Sequence, residues 1–253
     1  MNFESLKNIC IILGYPGTDF LPYGNLLDAH LDIAINHNSS CLEILYKYNC
    51  FSKDVLIPLI CKSRDYLICS DRKYKYKLPN WFQKKCSEKR VEVVGDCFGP
   101  ENLKFIQKFG IENLKKLQEV SSLPLKVVCI IQNPFNIVSD ISKLYYHNDL
   151  NEAMNSFFDL TKILKNIEEE DFCKCSYIYD DLFIKDPMIY LMSICDFLEV
   201  KASNYFLECC SAEFFKNKEY NQEVILDFNE NQKNKLNDFC KNIPFLKNYI
   251  KGN

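Results

Sequence analysis

Apolar residues along this chain fall into two kinds of run: short unbroken blocks, and longer stretches where they return every three or four positions. The unbroken blocks are NICIIL (8–13), DIAI (32–35), VEVVG (91–95) and KVVCIIQ (126–132), with a weaker KCSYIY at 174–179. A strand without polar alternation is one covered on both faces, so these blocks predict buried parallel strands. Between them, PENLKFIQKFGIENLKKLQEV sets Leu103, Ile106, Phe109, Leu114 and Leu117 at helical spacing, with Gly110 interrupting. LNEAMNSFFDLTKILKNIEEE repeats the spacing with Met154, Phe157, Phe158, Leu160, Ile163 and Leu164. DPMIYLMSICDFLEV opens with Asp186 as an N-cap and Pro187 at the first helical position. NENQKNKLNDFCKNIPFLKNYI, near the C-terminus, reads as a helix and a docking tail. Strands alternating with helices predict an α/β fold, an open, mainly parallel sheet with helices on both faces.

A chain of 253 residues, 47% hydrophobic and 26% charged, suits a single domain over 1–253. The periodic pattern is lost at 49–90, which reads as an insertion. It holds the only Trp, in the Lys/Tyr-rich DRKYKYKLPNWFQKKCSEKR. Basic residues interleaved with aromatics can bind single-stranded nucleic acid. The net charge of −3 argues instead for a solvated insertion covering the sheet edge, with neither nucleic acid nor an anionic membrane as partner. No apolar run reaches the ~18 residues of a membrane span. The first residues, MNFESLKNICIILGY, run through Glu4 into a core strand rather than a leader, so the cytoplasm is the expected location. None of the fourteen cysteines forms a C-x-x-C pair, and Cys173/Cys175 and Cys209/Cys210 lack zinc spacing. Their apolar neighbourhoods predict buried, reduced thiols and no metal.

The stretch that raises a chemical question is ICIILGYPGTDFLPYGNLLDAH, residues 9–30, a strand, a turn and a helix. Such a turn can cradle a phosphate with its N–H groups and the helix N-terminus. Yet it holds no Lys or Arg, and it carries Asp19. Of the three histidines, His30 reads as packing or capping and His147 as closing a helix. His37 follows the strand DIAI, at the end of an open α/β sheet where ligand crevices lie. Asp180 and Asp181 read as fixing the loop before LFIKDP.

Four stretches in order resemble the sulfotransferase family, whose members use 3′-phosphoadenosine-5′-phosphosulfate (PAPS) on a P-loop-like fold. Residues 14–30 are similar to G-h-x-R-S-G-[ST]-T-L-L-x-x-L-L-D-A-H. VVGDCFGPENLKFI resembles the strand and G-D-K-K-G-G. LPLKVVCIIQNPFNIVSDI resembles the strand and R-N-P-x-D-x-x-x-[ST] that holds the 3′-phosphate, and YIYDDLFIKDPMIYLMSICDFLEV resembles R-Y-E-D-L-x-x-D-P…L-x-x-I-C-x-F-L. The resemblance implies a sulfate cradle at Pro16, Gly17, Thr18, Asp19 and Phe20, with Gln132 and Ser139 at the 3′-phosphate and His37 as the base. The implied reaction carries the sulfuryl group of PAPS, without a metal, to a hydroxyl or amine of a small-molecule or glycan acceptor.

The departures bear on that reaction. Gly17 stands in place of the loop's Arg, Asp19 of its second Gly, and Phe20 and Leu21 of its hydroxyl pair; a shift of two residues would align Gly17-Thr18 with the family's G-T. Gln132 replaces the Arg of the 3′-phosphate clamp, and Cys97 and Phe98 replace the two lysines. Asp140 stands where a Ser or Thr is expected, Ser139 taking that role only across a deletion, and Asn38 where a Glu is expected. Lys62 and Lys143 are the unplaced cations. The alternative is a non-catalytic relative that holds an altered ligand or a protein partner in the old crevice. A nucleotide kinase or NTPase is disfavoured, since no G-x-x-x-x-G-K-[ST] occurs.

Overall fold

The computed structural model describes residues 3–37, 39–49, 52–68, 91–217 and 226–249. All five apolar blocks are strands in it: β1 (Asn8–Gly14), β2 (Ile33–Asn36), β3 (Val93–Asp96), β4 (Leu125–Ile131) and β5 (Cys173–Tyr179). They form one sheet in the order β2-β3-β1-β4-β5, and every pairing is parallel. In chain order the helices are α1 (Leu21–Asp28), α2 (Cys41–Lys47), α3 (Lys53–Ile68), α4 (Gly99–Phe109) and α5 (Glu112–Ser121). They continue as α6 (Pro134–Tyr145), α7 (Leu150–Glu168), α8 (Asp180–Lys185), α9 (Pro187–Phe197), α10 (Asn204–Asn217) and α11 (Glu230–Lys241), before a short 3-10 helix at Pro244–Tyr249.

The absence of polar alternation in β1 has the predicted cause. Successive side chains point to opposite faces, and both faces are cores. Ile9, Ile11 and Leu13 pack with helices α2 to α7 and α11, whereas Cys10 and Ile12 pack with α1, α9 and α10. Local signals set the helix ends. Gly110, at φ +89, separates α4 from α5, as its place in the pattern predicts. The Asp186 side chain accepts the Ile189 N–H at 3.2 Å, capping α9 with Pro187 in its first turn. The stretch read as an insertion contributes to the core at its start: Leu56, Ile57, Ile60 and Cys61 of α3 are buried. Residues 69–90, with the Lys/Tyr-rich segment, lie outside the described residues.

The eleven described cysteines are free thiols, all buried except the half-buried Cys175 and Cys209. Burial pushes the Cys195 and Cys240 thiols up to about 12. The C-terminal tail docks on the sheet as its pattern predicts. Phe245 stacks on Tyr177 of β5 with ring centres 4.9 Å apart. The Tyr249 hydroxyl lies 2.7 Å from Asp181 Oδ1 and 3.0 Å from the Ile131 carbonyl.

Gly95 marks a close approach of two backbones in the sheet. It pairs with Cys10 across β3 and β1, and a Cβ there would run into the Cys10 carbonyl, which is backbone and cannot turn aside. At Gly110 an added Cβ meets nothing within 4 Å and strains only the positive φ. Urea unfolding should therefore show Gly95→Ala losing more than Gly110→Ala, whose cost is the ~1–3 kcal/mol of a strained backbone alone. Equal losses would count against this register.

Candidate functional site

Because every strand is parallel, the C-terminal ends share one edge of the sheet. The chain leaves β3 on one side of β1 and crosses to β4 on the other, and such a reversal opens a crevice at that edge. The crevice floor is organised by Asp96, the last residue of β3 and fully buried. Its Oδ2 accepts the Cys41 N–H at 2.5 Å, and its Oδ1 accepts the Phe98 N–H at 3.1 Å and the Asn102 amide at 2.5 Å. The Asn102 amide also points at the Ile12 carbonyl at 3.4 Å, and its oxygen accepts from the Ser40 hydroxyl, which caps α2. One carboxylate thus ties β1 and β3 to the starts of α2 and α4. Burial raises its pKa to about 6, against the lowering effect of these donors.

Above this floor, β1 runs into the loop 15–20. Thr18 N–H closes a turn on the Tyr15 carbonyl at 3.0 Å, and Gly17 sits at φ +91. Pro16 is buried, while Gly17 and Asp19 reach the surface. Thr18 is 4% exposed, and its hydroxyl has no hydrogen-bond partner. Phe20 stands at the N-cap of α1 without a side-chain cap. Its carbonyl accepts the Gly24 N–H at 3.2 Å and the Cys97 thiol at 3.1 Å. A Cβ on Gly17 would lie 2.5 Å from Asp140 Cβ of α6. The ungapped register that sets Gly17 against an Arg therefore has no room for that side chain.

The remaining candidates reach the same edge in different states. His37 follows β2 with its ring against α1: its Cε1 lies 2.8 Å from where a Gly24 Cβ would stand, beside Cys97. Both ring nitrogens are buried. Ser139 lies on α6, and its hydroxyl accepts the Leu226 N–H at 3.2 Å. Gln132 follows β4 and is 7% exposed, its Nε2 lying 3.5 Å from Asp180 Oδ2. Tyr23 of α1 donates its hydroxyl to Asp180 Oδ1. Burial first, then the charges of Asp180 and Asp19, hold the Tyr23 hydroxyl well above its usual pKa. Asp180 is thus a hub joining α1, β4 and β5, a larger part than a loop-fixing acid. Its sequence signals are its place at a strand end and the match of YIYDDL to R-Y-E-D-L.

His30 is a packing residue, as its pattern predicts: buried, taking the Asp32 N–H at 3.1 Å and set edge-on to Phe206. Lys143 reaches Asp140 at 3.8 Å, and the Asp140 carboxyl is raised by burial with Lys143 opposing. Asn38 and the side chain of Lys62 lie outside the described residues, as do the side chains of the three arginines, Arg64, Arg72 and Arg90. Among the described residues no group of three or more His, Cys, Asp or Glu could hold a metal ion. No helix there is long and apolar enough to cross a membrane.

No family model matches this chain, and no curated protein does. Solved structures do. The sulfotransferase domain from the curacin biosynthetic pathway aligns over 93% of this chain and 98% of its own length, at 12% identity and a TM-score of 0.54. Sulfotransferase STF9 from Mycobacterium avium aligns over 92% of this chain and 75% of its own, at 10% identity and a TM-score of 0.53. Mouse sulfotransferase SULT7A1, complexed with PAP, aligns over 96% and 89%, at 12% identity and a TM-score of 0.50. The protein has the sulfotransferase fold.

Two tests probe this geometry. Gly17→Arg should lower the thermal midpoint, and adding Asp140→Ala should recover part of the loss by removing the atoms it strikes. A Gly17→Arg protein as stable as wild type would show that the loop is arranged otherwise. For Asp96, a folded pKa above the unfolded value means the folded state holds the extra proton between about pH 4 and 6. Its contribution to stability is therefore full below pH 4 and falls by about 2–3 kcal/mol as the pH rises through 6. In Asp96→Asn that decline should vanish from the pH dependence of the urea midpoint, whatever the variant's absolute stability.

Proposed function

We propose that this is a non-catalytic sulfotransferase-fold protein, whose crevice holds a ligand less negatively charged than PAPS. The observation that carries the reading is Gln132. It stands where the resemblance puts the Arg of the 3′-phosphate clamp, and its amide is engaged with Asp180. A phosphate there would meet a carboxylate instead of a guanidinium. The other positions support the same reading. Ser139 Oγ accepts the Leu226 N–H, Asp140 crowds Gly17, and Asp19 puts an exposed carboxylate into the loop. The backbone turn of a cradle remains, so the residues fit a loosely held anion at the loop and do not fit the cofactor as a whole.

Magnitudes decide between a weakened site and a lost one. Each lost hydrogen bond to a charged group removes ~1.5–3 kcal/mol, so two lost clamps remove ~3–6 kcal/mol. A carboxylate about 4 Å from a phosphate adds a further ~1–4 kcal/mol of repulsion. Together these lower affinity by several powers of ten. The partner is then a small molecule of different charge, or a protein.

The transfer reading keeps one observation in its favour, the partnerless Thr18 hydroxyl in the loop, a group able to donate to a sulfate oxygen. On that reading His37 would take the acceptor's proton, from a position where its ring lies against Gly24 and its nitrogens are buried.

Calorimetric titration with adenosine 3′,5′-bisphosphate at fixed salt separates the two readings. The expected outcome is millimolar binding or none. A micromolar or tighter dissociation constant would return the protein to the PAPS-dependent enzymes.

A further inference from the structure

Helices α2, α4 and α6 start at the crevice edge, shortly after β2, β3 and β4, and run away from it. Their far ends share one surface. Tyr46 of α2 sets its ring against Phe105 and Phe109 of α4, with ring centres 5.9 and 5.1 Å apart. The Phe105 and Phe109 rings lie 4.6 Å from each other. Beside them, Lys104 Nζ lies 4.0 Å from the ring centre of Tyr145 in α6 and donates to its hydroxyl at 2.8 Å. Lys108 Nζ stands 4.9 Å from the Phe109 ring centre, and Lys47 Nζ 5.7 Å from that of Tyr48. These rings are nonetheless left in water: Tyr46 is 61% exposed, Tyr48 56%, Tyr145 47% and Phe109 39%.

A lysine in the last turn of a helix offsets its dipole, which accounts for the charge of Lys47 and Lys108. It does not account for the rings. Single apolar side chains at a surface are ordinary, whereas a contiguous group of them marks a surface that something else covers. Among the described residues no carboxylate lies within ion-pair distance of Lys47, Lys104 or Lys108, so their charge is met only by rings and one hydroxyl. We propose that this face docks an acidic segment of a partner protein, one that carries aromatic side chains among its carboxylates. The carboxylates take the ammonium groups, and Lys104 and Lys108 offer two of these one helical turn apart. The partner's apolar groups cover the rings. Single-stranded nucleic acid fits less well. A base stacks on an open ring face, and here lysines stand over Phe109, Tyr145 and Tyr48. An anionic lipid surface would also meet the exposed Glu43 and Glu101, one turn before the lysines on the same helices. A peptide can set its acids only where the lysines are. The face lies apart from the crevice, so the proposal does not depend on which ligand the crevice holds.

The test titrates the full chain into a fluorescein-labelled random copolymer of glutamate and tyrosine, read by anisotropy at fixed low ionic strength. Labelled polyglutamate supplies the charge without rings, and oligothymidine the single-stranded nucleic acid. Wild type should bind the copolymer saturably and roughly tenfold or more tightly than either. Lys104→Gln/Lys108→Gln removes charge, and Tyr46→Ser/Phe109→Ser removes exposed rings; each pair should weaken copolymer binding roughly tenfold or more. Lys162→Gln/Lys233→Gln makes the same change of net charge on lysines that already reach carboxylates, and should leave binding as it is. If the ring pair lowers the thermal midpoint too far to be titrated, the lysine pair decides against its control. No saturation by wild type, equal weakening by the two lysine pairs, or polyglutamate binding as tightly as the copolymer would each overturn the proposal. Tighter binding of oligothymidine would overturn it in favour of nucleic acid.

Discussion

The burial of the Asp96 carboxylate is the constraint on which the crevice depends. A carboxylate with no access to water persists only if its oxygens are met by donors, and here the donors come from chain segments far apart in sequence. Cys41 and Phe98 offer backbone N–H groups at the beginnings of two helices, and Asn102 carries the connection on to β1 and to Ser40. The edge of the sheet where ligands would enter is therefore braced from beneath. Substitutions above it can change its charge without loosening the scaffold. A fold kept at 10–12% identity, with a sequence that departs from the resembling motifs, is the expected outcome of such a division.

The sheet was legible because its signal is repeated. Five apolar blocks without alternation, joined by helical spacing, permit few arrangements other than a parallel sheet covered on both sides. The strand ends moved by only a residue or two, as with β3, read at 91–95 and found at Val93–Asp96. Caps with a local mechanism, such as Asp186–Pro187, and the break at Gly110 were readable for the same reason. Each depends on residues within one turn of helix.

The site was less legible, since its chemistry rests on contacts that no local pattern encodes. Gly17 was aligned with an Arg by counting along the loop. Its positive φ and the Asp140 side chain against it belong to the fold. Ser139 resembles a phosphate ligand in sequence, and only the fold brings the Leu226 N–H to its hydroxyl oxygen. His37 was read from its place after a strand, and whether its ring faces the crevice or packs under α1 depends on the absence of a side chain at Gly24. Asp180 gained its role from Tyr23, far away in the chain. In each case a sequence-distant partner decides what the residue is able to do.

The distribution of thiols has a practical consequence. Cys10, Cys41, Cys129, Cys173, Cys195, Cys210 and Cys240 place a buried sulfhydryl in β1, α2, β4, β5, α9, α10 and α11 in turn. An alkylating reagent attacks only the exposed thiolate, so each of these must await an opening of its own element before it reacts. The native chain thus carries its own set of probes. Mass spectrometry of labelled peptides over time would rank the elements by the free energy of their local opening, with no cysteine introduced or removed.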